Sequence, residues 1–377
     1  MALDFFLQDE HQQLVRDLSG FVGSLAPIIA REDHEVEGSF RAYVKALSEA
    51  SLLNHAASVQ ADQALSLRSA CLIREALAYA SPLADLAFVM QGLGTFAAIH
   101  SGSETLSQSV SAKARSGDFI CAFALTEPNA GSDVSNIQSR AVKVEGGYRL
   151  TGEKIFISNA PIANGFTLFV STNPEAGGKG LSAFWVEKGA PGLSVEAIEL
   201  ISPHPIGRVL YQDMFVPESA RIGKEGDGMK LALGTLDFFR TSVGAAAIGM
   251  AQRALDESIA YAKRRIQFKK PIAEQQSIQT KLAQMATKIE ASRLLVYRAA
   301  YEKDKGAARL GKEAAMAKLF ATESAFSVID DAVQIHGGYG LMKNSITEKL
   351  YREIRALRIY EGTTEIQYLV IAAHLLK

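Results

Sequence analysis

The hydrophobic period changes twice along this chain, from helical spacing to strict alternation and back, so a β layer must stand between two helical regions in sequence. From Leu7 to Gly117 the spacing is helical, with Leu14, Leu18, Phe21 and Leu25 recurring at three and four residues until Pro27 closes the stripe. Ala76–Ala98 is rich in Ala and Leu and almost uncharged, which predicts a helix pair buried on most sides. Ile120–Leu125 is then a short apolar run, and Val142 and Val144 alternate with polar neighbours. Gly146-Gly147 separates that run from Tyr148 and Leu150, a hairpin signal, because turn positions can require positive φ. Phe166–Val170, Leu181–Val186, Leu193–Ile198 and Tyr211–Val216 continue the series, giving about six or seven strands and, without long helices between them, a small antiparallel β domain. Helical spacing returns at Ile248, Ala251, Leu255, Ile259 and Ala262, then at Ile278, Leu282, Met285, Ile289 and Val296. A third helix over Ala314–Ile335 meets Gly337-Gly338, which suit a C-cap, and long helices of this kind pack as a bundle. The fold class expected is α+β, with an all-helical domain over residues 1–118, a β domain over 119–224 and a four-helix bundle over 225–377.

Charge narrows the partners. With 40 Lys+Arg against 41 Asp+Glu in 377 residues, the chain lacks the basic excess of a nucleic-acid binder. Cys71 and Cys121 are too few for a disulfide framework or a multi-cysteine zinc site, so no metal centre is expected. No basic n-region precedes Arg16, no apolar run approaches the roughly 18–20 residues of a membrane span, and His374–Lys377 is not a peroxisomal tripeptide. A cytoplasmic protein without membrane insertion is the expectation.

Several motifs carry chemistry, each with a plain structural counterpart. Gly92–Ala97 matches G-x-G-x-x-A but lies in a helical stretch and not between strand and helix, so it reads as close helix packing. Ala124–Asp133 follows a strand and presents small hydroxyls and backbone N–H groups, suited to a polar or anionic cofactor or to a surface turn. Tyr261–Phe268 ends a helix with three cations, which either complement the helix dipole or clamp a phosphate through Arg265. Ile359–Gln367 sets Glu361 beside Tyr360 and before Gly362. A poorly solvated carboxylate there would have the raised pKa useful for proton abstraction, while Thr363 and Gln367 alone would account for a helix cap.

In order and spacing, Ala124–Asp133, Glu153–Asn159, Leu236–Arg240, Arg265–Phe268, Gln334–Gly340 and Tyr360–Gln367 together resemble the acyl-CoA dehydrogenase family of flavoproteins over nearly the whole chain. The resemblance implies FAD, with Phe123, Leu125, Thr126, Ser132, Phe156 and Ser158 lining the flavin. Arg265, Phe268 and Gln276 would hold the pyrophosphate and adenine of an FAD bound mainly to a neighbouring subunit, and Gln334, Gly337 and Gly338 would approach that nucleotide. Thr363 and Glu365 would close over the other end, while Ser132, Asp237, Arg240 and Gly362 fall where the family contacts its acyl-CoA thioester. Shared sites imply a homo-oligomer, usually a tetramer. Glu361 matches the family's base; the alternative slot, directly before the arginine of the Leu-Asp-x-x-Arg pattern, is Phe239, which takes no proton. Three departures stand out: Lys269 where glycine is usual, Phe156 for the commoner tryptophan, and Ile201–Val209 in place of Gly-x-Arg-x-Ser-x-Thr.

The implied reaction is α,β-dehydrogenation of an acyl-CoA, with electrons passed to an electron-transferring flavoprotein. The rival readings are an oxidase, a monooxygenase or a desulfinase-like reaction on the same scaffold, a substrate carried on acyl-carrier protein, and a catalytically silent helical binding protein.

Overall fold

The computed structural model describes residues 5–307 and 310–376. The N-terminal helices are α1 (Asp9–Ser24), α2 (Ala26–Ile29), α3 (Val36–Glu49), α4 (Leu67–Ala80), α5 (Pro82–Leu93), α6 (Phe96–Ser101) and α7 (Glu104–Arg115). Strands β1 (Cys121–Ala124), β2 (Arg140–Val144), β3 (Gly147–Ser158), β4 (Gly165–Ser171), β5 (Leu181–Glu187), β6 (Leu193–Ala197), β7 (Ile206–Pro217) and β8 (Arg221–Ile222) follow. The last part holds α8 (Gly228–Arg264), a hairpin of β9 (Ile266–Gln267) and β10 (Lys270–Pro271), then α9 (Gln276–Asp304), α10 (Gly311–His336), α11 (Ile346–Leu357) and α12 (Thr364–Leu375). Contacts group these residues into two compact units that interleave along the chain. One comprises Met1–Ser24, Ser66–Asp85 and Asp237–Lys377; the other, Leu25–Leu65 and Leu86–Leu236.

In the second unit the strands form one eight-stranded sheet, ordered β6-β7-β3-β2-β4-β5-β8, with β1 paired to β4. It is mixed where alternation alone suggests an antiparallel sheet: β1 and β2 both run parallel to β4. A parallel pair needs a crossover, and the β2–β3 hairpin serves as part of it between β1 and β4. Apolar side chains cover both faces. Tyr148, Leu150, Phe166, Leu168 and Val209 belong to one cluster, and Phe169, Trp185, Leu181 and Ile222 belong to the other. Hence β4 is buried at every position and is apolar from Phe166 to Val170 but for Thr167, as suits a two-sided strand.

Two glycines differ from their sequence reading in an instructive way. The hairpin closes with Val144 opposite Gly147, so the loop is Glu145-Gly146, and only Gly146 has positive φ (76°). Gly147 is a strand residue whose added Cβ would stand 2.2 Å from the Val216 carbonyl oxygen. In the G-x-G-x-x-A stretch, a Cβ on Gly94 would lie 2.9 Å from the Ala122 nitrogen and from Cys121 Cβ, so the close packing is against strand β1 and not only between helices.

In the first unit the long helices pack through small residues. A Cβ on Gly244 would meet the Val296 side chain at 2.6 Å, and one on Gly249 would meet the Glu75 carbonyl oxygen at 2.2 Å, so α8 takes a side chain of α9 against its own backbone and approaches α4 at backbone distance. Val296, Ala300, Ala314, Ala321, Val328 and Ile329 are buried on α9 and α10. Polar contacts tie α4 to α9: Asp304 accepts from the Arg68 side chain at 2.7 Å, from the Leu67 N–H at 2.7 Å and from the Ser66 hydroxyl at 2.8 Å. Pro82–Ser101 and Gly228–Arg264 are long and apolar enough to cross a membrane, although neither is an uninterrupted apolar run; 78% and 72% of their most apolar windows are buried inside the protein. Their apolarity serves the core.

Candidate active site

Glu361 stands in the turn between α11 and α12, in a backbone conformation (φ +53°) that L-residues seldom adopt, and Gly362 follows at φ +91°. Such a turn persists only where its surroundings over-determine it. Here the Glu361 carbonyl accepts from Arg240 Nε at 3.2 Å and from Gln367 Nε2 at 3.3 Å. The Gly362 carbonyl accepts from Lys318 Nζ and from Gln367 Nε2, each at 2.8 Å. Both carbonyls are thereby turned onto donors from α8, α10 and α12. Among the described residues the Glu361 N–H has no acceptor, and its carboxylate oxygen Oε2 is buried without a hydrogen-bond partner.

Burial pushes the Glu361 carboxyl above the ordinary carboxylate range, against the attraction of Arg74, Arg240 and Lys318, with Asp85 reinforcing the rise. Arg74 is itself fixed, donating to both Asp85 oxygens at 2.8 Å and to the Ser242 hydroxyl at 2.9 Å, all out of solvent. Arg240 also pairs with Asp237 at 3.0 Å, and Asp237 is largely exposed. The helix cap and the candidate base coexist, since Thr363 accepts from the Ile366 N–H at 3.3 Å and starts α12. Glu365, exposed in the first turn, is held below the usual carboxylate range by its own backbone N–H and by Thr363. Phe239 is fully buried against Phe238, with ring centroids 5.0 Å apart.

The same unit carries an open cavity of about 540 Å³ that brings together Arg265, Phe268, Gly337 and Gly338, with Tyr261 and Tyr339 beside them. Gln276 and Gln334 are exposed at the start of α9 and the end of α10 and do not line it; Gln275 does. β9 and β10 close on the two-residue loop Phe268-Lys269, both residues left-handed at φ +51° and +68°. A loop of that geometry favours glycine, so Lys269 keeps the turn at a conformational cost. The result is a Phe268 ring 90% exposed to solvent.

In the other unit, Phe123 leaves β1 against Phe169, with ring centroids 5.0 Å apart. Leu125 is buried, Thr126 half-buried and Ser132 exposed in the loop that follows. That loop is anchored to β3: the Thr126 carbonyl accepts from the Ile155 N–H at 3.0 Å, which puts Thr126 beside Phe156. Beneath it, Lys154 Nζ donates to the Leu125 carbonyl at 3.1 Å and to Glu127 at 2.7 Å, and Glu127 accepts from the Gln138 and Ser139 N–H groups at 2.6 and 3.1 Å. Burial brings the Lys154 ammonium down to about 8. A register shift between Lys154 and Ile157 throws Phe156 outward at φ +56°, 56% exposed, while Ser158 stays half-buried. Asn159 then ties the end of β3 to the Cys121 carbonyl at 3.0 Å.

These surroundings suit a flavin dinucleotide. Gly337 and Gly338 face open space where a side chain would stand, and no carboxylate pairs with Arg265 among the described residues, so a phosphate can approach both. Motif reasoning did not single out Lys318, Arg74, Lys154, or Gln367 as the holder of two carbonyls. The signal for Lys318 is a lone cation among Ala314, Ala317 and Ala321, on the buried side of a helix.

Comparison with known proteins agrees. Residues 226–376 match the acyl-CoA dehydrogenase C-terminal domain, and residues 122–214 match its middle domain. An acyl-CoA dehydrogenase of Bacillus subtilis is 43% identical over 291 residues, 76% of each chain. Butyryl-CoA dehydrogenase of Megasphaera elsdenii superposes with a TM-score of 0.90 at 32% identity, over 98% of this chain and 99% of that one. A structure described as PigA with FAD and proline superposes at 0.91 with 31% identity, over 99% of each chain.

Proposed function

The chain belongs to the acyl-CoA dehydrogenase family, an FAD-dependent oxidoreductase family, and from that premise we propose that it converts an acyl-CoA thioester to the 2-enoyl-CoA, with Glu361 as the base. The observation that carries the reading is a shielded, unbonded Glu361 carboxylate oxygen on a turn whose Glu361 and Gly362 carbonyls are both held by side chains.

The α-hydrogen of a thioester is a weak acid, so a carboxylate removes it usefully only if the developing enolate oxygen is stabilised. The Glu361 N–H, without an acceptor in the protein, is the donor this chain offers to that oxygen. Oε2 takes the α-proton, and its raised pKa makes it a stronger base than an exposed glutamate, while Arg74, Arg240 and Lys318 favour its ionised form. FAD, when bound, supplies the acceptor for the hydride leaving the β-carbon, so that loss of the two hydrogens leaves the carbon–carbon double bond. Arg240 and Asp237 border the thioester, with Ser132 and Gly362. Phe123, Leu125, Thr126, Phe156 and Ser158 hold the flavin ring. Arg265, Phe268, Gly337 and Gly338 hold the nucleotide of an FAD shared within a homotetramer, Gln276 and Gln334 approach it from outside that cavity, and Thr363 and Glu365 close over the other end. Electrons leave to an electron-transferring flavoprotein, in the cytoplasm.

Anaerobic titration with straight, branched, cyclic and aromatic acyl-CoAs, and with an acyl-carrier-protein thioester, tests the reading. Bleaching of the flavin by at least one acyl-CoA is expected. Bleaching by the carrier-protein thioester alone changes the substrate class, and no bleaching by any thioester refutes the function.

A further inference from the structure

Lys318 has so far entered only as one of three cations near the base, yet its placement is expensive. It lies in the middle of α10 with its side chain fully out of solvent, between Ala314, Ala317 and Ala321, which pack in the core. An unpaired ammonium in such a place is strongly unfavourable unless something specific holds it. No carboxylate bonds to Lys318 among the described residues; its partner is the Gly362 carbonyl at 2.8 Å. Gly362 is the residue after the base, in a backbone conformation that no other residue type adopts easily, and a Cβ there would stand 2.6 Å from Gln367 Nε2.

We infer that Lys318 is a positioning residue for Glu361: it pins the Gly362 carbonyl and with it the left-handed turn that aims the carboxylate. The inference rests on Glu361 being the base. Two carbonyls, Glu361 and Gly362, receive the side chains of Arg240, Gln367 and Lys318. Arg240 also pairs with the exposed Asp237, and Gln367 belongs to the helix that the turn itself begins. Arg240 on α8 and Lys318 on α10 both come from helices other than the one the turn begins, and Lys318, fully out of solvent, references the Gly362 carbonyl to the bundle. Misplacement of a reacting group by about 1 Å can cost on the order of 100-fold in rate.

The charge has a second consequence. Facing the Glu361 carboxylate are Arg74 from α4, Asp85 from the start of α5, Arg240 from α8, Lys318 from α10 and the neighbouring Tyr360. Facing Lys318 are Glu361, Arg240, Glu323 and Glu365, and burial brings its ammonium down to about 8. Removing this cation takes away one of the three positive charges that favour the ionised base, so the acid limb of the rate profile must move to higher pH.

The test is anaerobic stopped-flow reduction of the FAD-loaded Lys318→Met enzyme by an acyl-CoA that bleaches the wild type, from pH 5.5 to 8.5, with Glu361→Gln in parallel. Methionine keeps the length and apolar stem but neither donates nor carries charge. The rate is expected to fall about 10- to 100-fold, with thioester affinity and flavin content within a few-fold of wild type and the acid limb displaced upward. Should methionine cost the fold, Lys318→Gln, a shorter neutral donor, is expected to give a smaller loss with the same upward displacement. A wild-type rate and an unmoved profile in either folded variant overturn the role of Lys318 while leaving the base in place, provided Glu361→Gln is slow. A fast Glu361→Gln enzyme overturns the base assignment itself and this inference with it.

Discussion

Replacing Lys154 by methionine removes the cation beneath the Leu125–Asp133 loop and strands Glu127. The pair is out of solvent, with side-chain exposures of 0% and 4% at an N–O distance of 2.7 Å. Loss of one partner of a buried ion pair costs about 3–5 kcal/mol, because the remaining charge stays desolvated. Against a typical stability of about 5–15 kcal/mol this is large, and for a domain of this size it corresponds to roughly 6–20 °C in the melting midpoint. Thr126 and Ser132 ride on the loop, so FAD retention should fall as well. The pH dependence has a definite sign. Burial alone would raise the Glu127 carboxyl, but Lys154, Ser139 and the Gln138 N–H bring it below the ordinary value. A carboxyl lowered in the folded state contributes stability above its unfolded pKa and loses it as pH falls through the folded value. In Lys154→Met the lowering by Lys154 is gone, Glu127 takes up a proton more readily, and the deficit relative to wild type should shrink between pH 7 and pH 4. Adding Glu127→Gln should recover most of the loss at pH 7, since the amide can still accept from the Gln138 and Ser139 N–H groups. Thermal and urea denaturation of the four proteins in the cycle gives the coupling energy; single losses that simply add in the double variant would refute the argument.

Other substitutions probe separate parts of the account. Arg265→Ala should weaken FAD retention and loosen the oligomer together, measured by flavin absorbance across a sizing column, whereas an intact oligomer with full FAD contradicts the shared clamp. Gly94→Ala drives a methyl to 2.9 Å from the Ala122 nitrogen and Cys121 Cβ and should destabilise by about 1–3 kcal/mol in urea, while an unchanged midpoint would show that the strand has room to give.

The three compositional zones were legible because burial imposes a period on each, as in the nearly continuous apolar run of β4 and the spaced stripe of α9. The interleaving of the two units was not, because what ties α4 to α9 is Asp304 meeting Ser66, Leu67 and Arg68, and single polar contacts at such separation leave no local pattern. The parallel pairing of β1 and β2 with β4 escaped for the same reason: alternation reports faces and is silent on direction. In the site, Glu361 and Arg240 could be found because they sit in motifs. The sequence places Gln367 in a helix cap, whereas its bonds to two carbonyls are fixed by the turn's geometry, which the motif does not display. Phe156 reads as a strand residue, and only the bulge next to it turns the ring out to solvent.

Glu361→Gln bears most directly on the proposed chemistry. It preserves the size of the side chain and the backbone N–H while removing the proton acceptor, and Phe239 leaves no carboxylate at the alternative base position. Stopped-flow mixing of the FAD-loaded variant with an acyl-CoA that bleaches the wild type should show thioester binding as a perturbed flavin spectrum. Reduction should be slower by at least the roughly 10²–10⁴-fold worth of a general base. Reduction at near wild-type rate would mean that the α-proton leaves by another route and that Glu361 serves the last helix alone.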